Sequence, residues 1–211
     1  MSAPSATPSR TSRSAGPRLY RLVDQHGDRA ITVIGERLSP TAADPLPWGD
    51  LASVDGVFVT ATDGAGLRAC RRAHVLTATP RLRLPVLAEA AVPLDALIGS
   101  ALDPAERYDP GDLSRPPRWV IATAGAAGGE VRPGGVFAAP QRQRPPVDAY
   151  GAGDSFAAGV TAGLAAGWDL ASALSLGCHC GSACLDGLGP YPGQLRRRAG
   201  GGRLEAPFPA A

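Results

Sequence analysis

The 211-residue chain contains no lysine and no asparagine, and all 21 of its basic residues are arginine. A Walker phosphate loop requires Lys in G-x-x-x-x-G-K-[ST], and Schiff-base catalysis requires a Lys amine, so neither chemistry is available to this chain. Aromatic residues make up 5% and do not interleave with basic ones, which argues against a stacking platform for single-stranded nucleic acid. No apolar run approaches the roughly 18 residues of a membrane span. A net charge of +2 is too small to predict a nucleic-acid or membrane partner. Isoleucine occurs only at Ile31, Ile34, Ile98 and Ile121. Lys, Asn and Ile share AT-rich codons, so their scarcity points to a GC-rich genome and a bacterial source.

What is present is a globular composition. Hydrophobic residues make up 44%, enough for a real core in a chain of this length. Residues 1–18 are rich in Ser, Ala, Thr, Pro and Arg, and read as a disordered tail. They lack the apolar core of a secretory signal, although Arg10, Arg13 and Arg18 among serines also suit a transit peptide. The expected location is the cytoplasm. Residues 195–211, with Arg196-Arg197-Arg198, read as a solvated C-terminal tail.

Between the tails the pattern is ordered. Leu19–Val23 and Ala30–Ile34 are β-prone runs around a polar turn, so they predict a hairpin. Strands are expected at Gly56–Thr60, His74–Thr77, Ala96–Ile98 and Trp119–Thr123. Helices are expected at Gly64–Arg72, Pro85–Ala91, Asp154–Ala166 and Leu170–Leu185. Apolar strands alternating with helices predict an α/β fold with a mostly parallel sheet covered on both faces.

One segment carries chemistry: Asp148-Ala149-Tyr150-Gly151-Ala152-Gly153-Asp154-Ser155-Phe156. A glycine turn that opens a helix leaves unpaired backbone N–H groups, whose donors and dipole favour an anion. A carboxylate at that point, Asp154, is placed to take a proton from a substrate hydroxyl. A base beside an anion hole is what phosphoryl transfer to an alcohol needs. Asp and Gly are also common at ordinary helix starts, so capping is the competing account.

The longer string resembles the C-terminal signature of the PfkB-type, ribokinase-like carbohydrate kinases, D-T-x-G-A-G-D followed by a helix, with Ala149 in place of Thr. Trp119-Val-Ile-Ala-Thr123-Ala-Gly125-Ala-Ala-Gly128 is similar to the family's strand and T-x-G-x-x-G turn, and Gly27-Asp28-Arg29 to its lid hairpin. The resemblance covers about residues 19–194 and implies a ribokinase-like three-layer αβα domain. It implies an ATP-dependent kinase acting on a hydroxyl of a small sugar or nucleoside. Asp154 would be the base, and Gly151, Ala152 and Gly153 the anion hole. Thr123, Gly125 and Gly128 would border the nucleotide. Asp148 would match the family's monovalent-cation position, K+ in some members, and Mg2+ would arrive with ATP.

The family's N-x-x-E box has no Asn here. Its counterpart is Ser100-Ala-Leu-Asp103, with Asp103 keeping the carboxylate and Glu106 a substitute. The family's first third, with its N-terminal strands and Gly-Gly sugar segment, has no counterpart. The sequence therefore predicts an exposed sheet edge, which leaves a homodimer open. The alternative is an inactive truncated remnant that binds nucleotide or serves as an interaction module.

Cys178-His179-Cys180 with Cys184 invites a metal reading, but thiols two apart on a helix point to opposite sides. Buried small residues in a close-packed helix are the expectation, with cytoplasmic thiols reduced. His179 reads as a plain helix residue or as a contact to adenine. His26 and His74 have no nucleophile motif to serve.

Overall fold

The structure, a computed structural model, describes residues 18–23, 29–35, 38–81 and 84–195. The expected leader over 1–17, the lid-like turn residues Gly27 and Asp28, and Arg196–Arg198 lie outside these residues. The chain divides into two compact units, 1–39 and 40–211, so the domain expected over 19–194 spans both.

In the first unit β1 (Arg18–Val23) pairs antiparallel with β2 (Arg29–Ile34), Arg18 opposite Ile34 and Val23 opposite Arg29. This is the predicted hairpin.

The second unit is built on six strands in the order β3-β4-β5-β6-β7-β8. These are β3 (Gly56–Val59), β4 (Val75–Ala78), β5 (Ala96–Ser100), β6 (Trp119–Thr123), β7 (Gly129–Arg132) and β8 (Gly135–Phe137). The first four are parallel, and β7 and β8 run antiparallel beside β6. Helix α1 (Gly64–Cys70) joins β3 to β4, and α2 (Leu84–Ala90) joins β4 to β5. Helices α3 (Ala152–Ala165) and α4 (Leu170–Cys184) close the unit.

Side-chain alternation along the strands divides the core between the two faces. Val75, Ala96, Ile98 and Ile121 pack with Phe156, Val160, Leu174 and Cys178 of α3 and α4. Leu76, Ala78 and Leu97 pack with Leu67, Cys70, Leu87 and Ala90 of α1 and α2. A mostly parallel sheet covered on both faces is thus present. The β7–β8 pair was not expected, for a physical reason. Val131 faces the core while Glu130 and Arg132 are exposed, so a half-polar antiparallel strand presents no apolar run.

Small residues let α3 and α4 approach closely. A Cβ on Gly159 would lie 2.8 Å from the Gly177 Cα, and one on Gly177 would lie 2.6 Å from Val160 Cγ2. We expect Gly159→Val to destabilise the fold by about 2–3 kcal/mol through overpacking, readable as a lower urea midpoint with unchanged m-value. Cys178, Cys180 and Cys184 lie on α4, while Cys70 belongs to α1 on the other face. Cys178 is buried, and burial raises its thiol to about 11. All four cysteines are free thiols, and no group of three or more His, Cys, Asp or Glu suited to a metal occurs among the described residues. No helix among them is long and apolar enough to cross a membrane.

Candidate active site

Ligand sites of open α/β sheets form at the carboxyl ends of parallel strands. Here the pairing of Ser100 with Thr123 brings the ends of β5 and β6 level. Thr123 Oγ1 donates to the Gly99 carbonyl, and the Ala101 N–H donates to the Thr123 carbonyl, so the two strand ends are tied. The chain then turns through Gly125 and Gly128, at φ +60° and +87°, and the Ala124 N–H donates to the Gly128 carbonyl at 2.7 Å. The turn predicted at Thr123–Gly128 is therefore a closed loop whose positive φ angles suit glycine.

Gly151 adopts the left-handed conformation, φ +85° and ψ −1°, and α3 starts at Ala152, two residues earlier than expected from Asp154. The reason is this glycine, which ends the preceding loop abruptly. A side chain there would also meet Pro190, at 2.5 Å. Helices α1 and α4 are capped by Asp63 and Asp169, whose carboxylates accept from the N–H groups of Gly66 and Ser172. No side chain caps α3. Its first intrahelical bond runs from the Ser155 N–H to the Gly151 carbonyl, so the N–H groups of Gly153 and Asp154 have no intrahelical acceptor. The Ala152 N–H is partly engaged, donating to the Ala149 carbonyl at 3.4 Å. Gly153 is exposed, with open space where a Cβ would stand. Simple capping by Asp154 is thus not what this helix start displays.

Asp154 occupies the third helical position and reaches solvent. Even so, desolvation by surrounding atoms raises its carboxyl above the ordinary aspartate value, and the Arg81 guanidinium opposes that rise. Arg81 follows β4 and ion-pairs through Nη1 with Asp103 Oδ2 at 2.5 Å and Glu106 Oε1 at 3.6 Å. Glu106 Oε2 accepts from the Ser100 N–H at 2.7 Å, and Asp103 Oδ1 accepts from the Ala105 N–H at 2.9 Å. Both carboxylates considered for the metal box therefore converge on one arginine. Asp148 braces the loop before α3, its oxygens accepting from the N–H groups of Tyr150 and Gly189.

A cavity of about 640 Å³ joins the two glycine segments. Thr123, Gly125, Gly128, Ala152 and Gly153 all line it, while Asp103 lines a second cavity of about 440 Å³ with Ser100 and Glu106. The larger cavity has mainly apolar walls, including Phe137 and Phe156, whose rings stack with centroids 5.8 Å apart. Arg142 also lines it, with Nη1 bonded to Ser182 and Nη2 to Asp186. His179 is not among the lining residues; its Nδ1 lies 2.8 Å from the Ser175 carbonyl one turn back. Arg81, Phe137 and Arg142 carry no local signal that marks them for a site. Arg81 and Arg142 sit in Pro- and Arg-rich stretches without periodicity, and Phe137 belongs to the unforeseen β8.

Residues 64–195 match the pfkB family carbohydrate kinases. No curated protein matches the chain. Among solved structures it is similar to ribokinase from Thermotoga maritima, at 17% identity and a TM-score of 0.66 over 85% of this chain and 66% of that one. It is similar to ribokinase from Cryptococcus neoformans var. grubii serotype A in complex with ADP, at 20% identity and a TM-score of 0.64, covering 84% and 68%. It is also similar to a nucleoside kinase from Methanocaldococcus jannaschii, at 16% identity and 0.59, covering 84% and 64%. At these identities the likeness establishes the fold, which is ribokinase-like, and the chain spans about two thirds of the length of these structures. With its glycine turn, its open α3 start and a family match over more than half its length, the chain belongs to the pfkB family of carbohydrate kinases.

Proposed function

We propose that the protein is an ATP-dependent kinase that phosphorylates a hydroxyl of a small sugar or nucleoside. The observation that carries this reading is the uncapped start of α3, with Asp154 in its first turn, opening onto a cavity shared with the Thr123–Gly128 turn. The cavity suits a nucleotide: its volume lies in the range of cofactor sites, its walls are apolar, and N–H donors stand at one end. Magnesium nucleotide, when bound, supplies the phosphoryl group and a cation that neutralises its oxygens.

In this reading the chain's own residues divide the remaining work. Asp154 accepts the proton of the acceptor hydroxyl, for which a raised carboxyl is a better base than an ordinary one. Gly151, Ala152 and Gly153 form the anion hole, with the Gly153 N–H as the freest donor. Thr123, Gly125 and Gly128 seat the nucleotide. Asp103, with Glu106 beside it, takes the metal-box role, as magnesium on phosphate needs few protein ligands. Asp148 holds a monovalent cation. An ionised carboxylate has about four acceptor directions, so its two backbone bonds are compatible with that role. The same reading sets the protein in a bacterial cytoplasm and admits a homodimer through the β3 edge.

The test is phosphoryl transfer from magnesium ATP across a panel of sugars and nucleosides. A second reading, a nucleotide-binding module without turnover, is favoured by the engagement of Asp103 with Arg81. Both readings predict stabilisation by magnesium ATP. At a hundredfold excess over Kd this amounts to about 2.7 kcal/mol, or roughly 5–10 °C in Tm. Only the first predicts product. No thermal shift at millimolar ATP would remove both.

A further inference from the structure

We propose that Arg142 reads the base of the bound nucleotide and selects a 6-oxopurine, so that GTP serves as phosphoryl donor in preference to ATP. The assignment rests on the kinase reading above; ATP enters the same cavity and binds less tightly. Arg142 lines the larger cavity, and among the described residues that line it no other is charged. Its guanidinium is held at one end. Nη1 donates to the Ser182 carbonyl and, at 3.2 Å, to Ser182 Oγ, and Nη2 donates to Asp186 Oδ1 at 2.7 Å. The other edge is not held. Nε is buried and has no hydrogen-bond partner among the described residues. A guanidinium carries five N–H donors, and its Nε–H stands side by side with a hydrogen of Nη2. A buried donor without an acceptor is costly, so this edge calls for a ligand that offers two adjacent acceptors.

A carboxylate, a phosphate and the O6–N7 edge of a 6-oxopurine each present such a pair. The surroundings decide between them. Asp186 already balances the charge of Arg142, in an ion pair whose arginine side chain is only 20% exposed, so the pair exerts little pull on an anion. The phosphates have donors of their own at the open start of α3. Around Arg142 the walls are apolar, and the Phe137 and Phe156 rings, within 12° of parallel, offer a flat surface to a base. Cys178, Gly181, Ser182 and Leu185 recur at helical spacing, so one stripe at the end of α4 faces the cavity and carries the anchor of the guanidinium. Adenine places an amino donor where guanine and hypoxanthine place O6, and so sets donor against donor at Arg142. Among the described lining residues no carboxylate stands ready to accept from that amine.

The measurement is the Kd of magnesium GTP, ITP, 7-deaza-GTP and ATP by titration calorimetry, first in the parent protein and then in Arg142→Gln and Arg142→Lys. In the parent, GTP and ITP should bind within about threefold of each other and about tenfold more tightly than ATP. The 7-deaza analogue lacks one acceptor of the pair and should bind about tenfold less tightly than GTP. Arg142→Gln should bring GTP and ATP to within about threefold, with the lysine variant between it and the parent. The nucleotide series in the parent stands by itself if the glutamine variant, having lost its bonds to Ser182 and Asp186, does not fold. ATP bound as tightly as GTP by the parent overturns the assignment, as does an Arg142→Gln variant that weakens every nucleotide equally, the mark of a phosphate contact or a mere tether. Turnover with the same panel separates this result from the kinase reading. A parent that prefers GTP but phosphorylates no acceptor removes that reading and keeps the base contact. One that transfers phosphate from ATP and ignores GTP does the reverse, and one that binds no nucleotide removes both.

Discussion

Asp154→Asn is expected to lower kcat for phosphoryl transfer by about 10³-fold, with the Kd for magnesium ATP changed by less than about threefold. The asparagine is nearly isosteric and preserves the helix start, so the donors at Gly153 remain in place. What it lacks is a site for the acceptor proton. Turnover by the variant at the parent's rate would show that another group serves as the base. The pH dependence provides a second check. Desolvation raises the Asp154 carboxyl and Arg81 only partly offsets it, so the acid limb of the parent's rate profile should fall above the ordinary aspartate range.

Stability should move the other way. A carboxyl whose folded-state pKa lies above its unfolded value binds its proton more tightly in the native protein. Native stability therefore falls as pH rises between the two values. At neutral pH the folded protein carries a partly desolvated charge that the asparagine variant does not. Asp154→Asn should accordingly melt at or above the parent's temperature at pH 7, and the difference should shrink in acid. An inactive variant that melts well below the parent would mean that Asp154 holds the helix start together instead of acting on substrate.

Gly128→Ala is the second large effect. Gly128 has φ +87° and ψ −115°, a conformation that L side chains seldom adopt, and an added Cβ would stand 2.0 Å from the Phe137 carbonyl oxygen and 2.8 Å from the Ala138 Cα. These are backbone atoms at the end of β8 and just after it, so no rotamer change relieves the clash. The turn or β8 must move, at an expected cost of about 3 kcal/mol or more. Gly111 provides the control. It also has positive φ, at +106°, but nothing lies within 4 Å of its Cβ direction. Gly111→Ala should cost only about 1 kcal/mol of backbone strain and leave ATP binding unchanged. Gly128→Ala should lose the thermal shift produced by magnesium ATP along with its own stability. Equal urea midpoints for the two variants would refute the argument from close approach.

Much of the fold was legible because its signals are local. The strands from β3 to β6 are short apolar runs, and the helices between them carry turn residues at their ends. The expected boundaries fall within two residues of the observed ones, as at β4, expected over His74–Thr77 and found at Val75–Ala78. The glycine segments were equally readable, since a left-handed turn and an open helix start each require specific small residues in sequence. The β7–β8 pair was not, because its stability comes from Val131 meeting the core across the sheet while its neighbours face water.

The α/β alternation, the two glycine turns, the position of Asp154 at a helix start and the absence of any lysine chemistry are all written in the chain. What surrounds that start came with the packing of the fold. That packing left α3 uncapped where α1 and α4 are capped, made one cavity of the Thr123–Gly128 turn and the start of α3, and set Arg81 against Asp103 and Glu106. The difference is one of range. Backbone preference and periodicity act over a few residues and are written in the chain. Desolvation, charge pairing and cavity walls arise between strands that the chain brings level only once the sheet has formed.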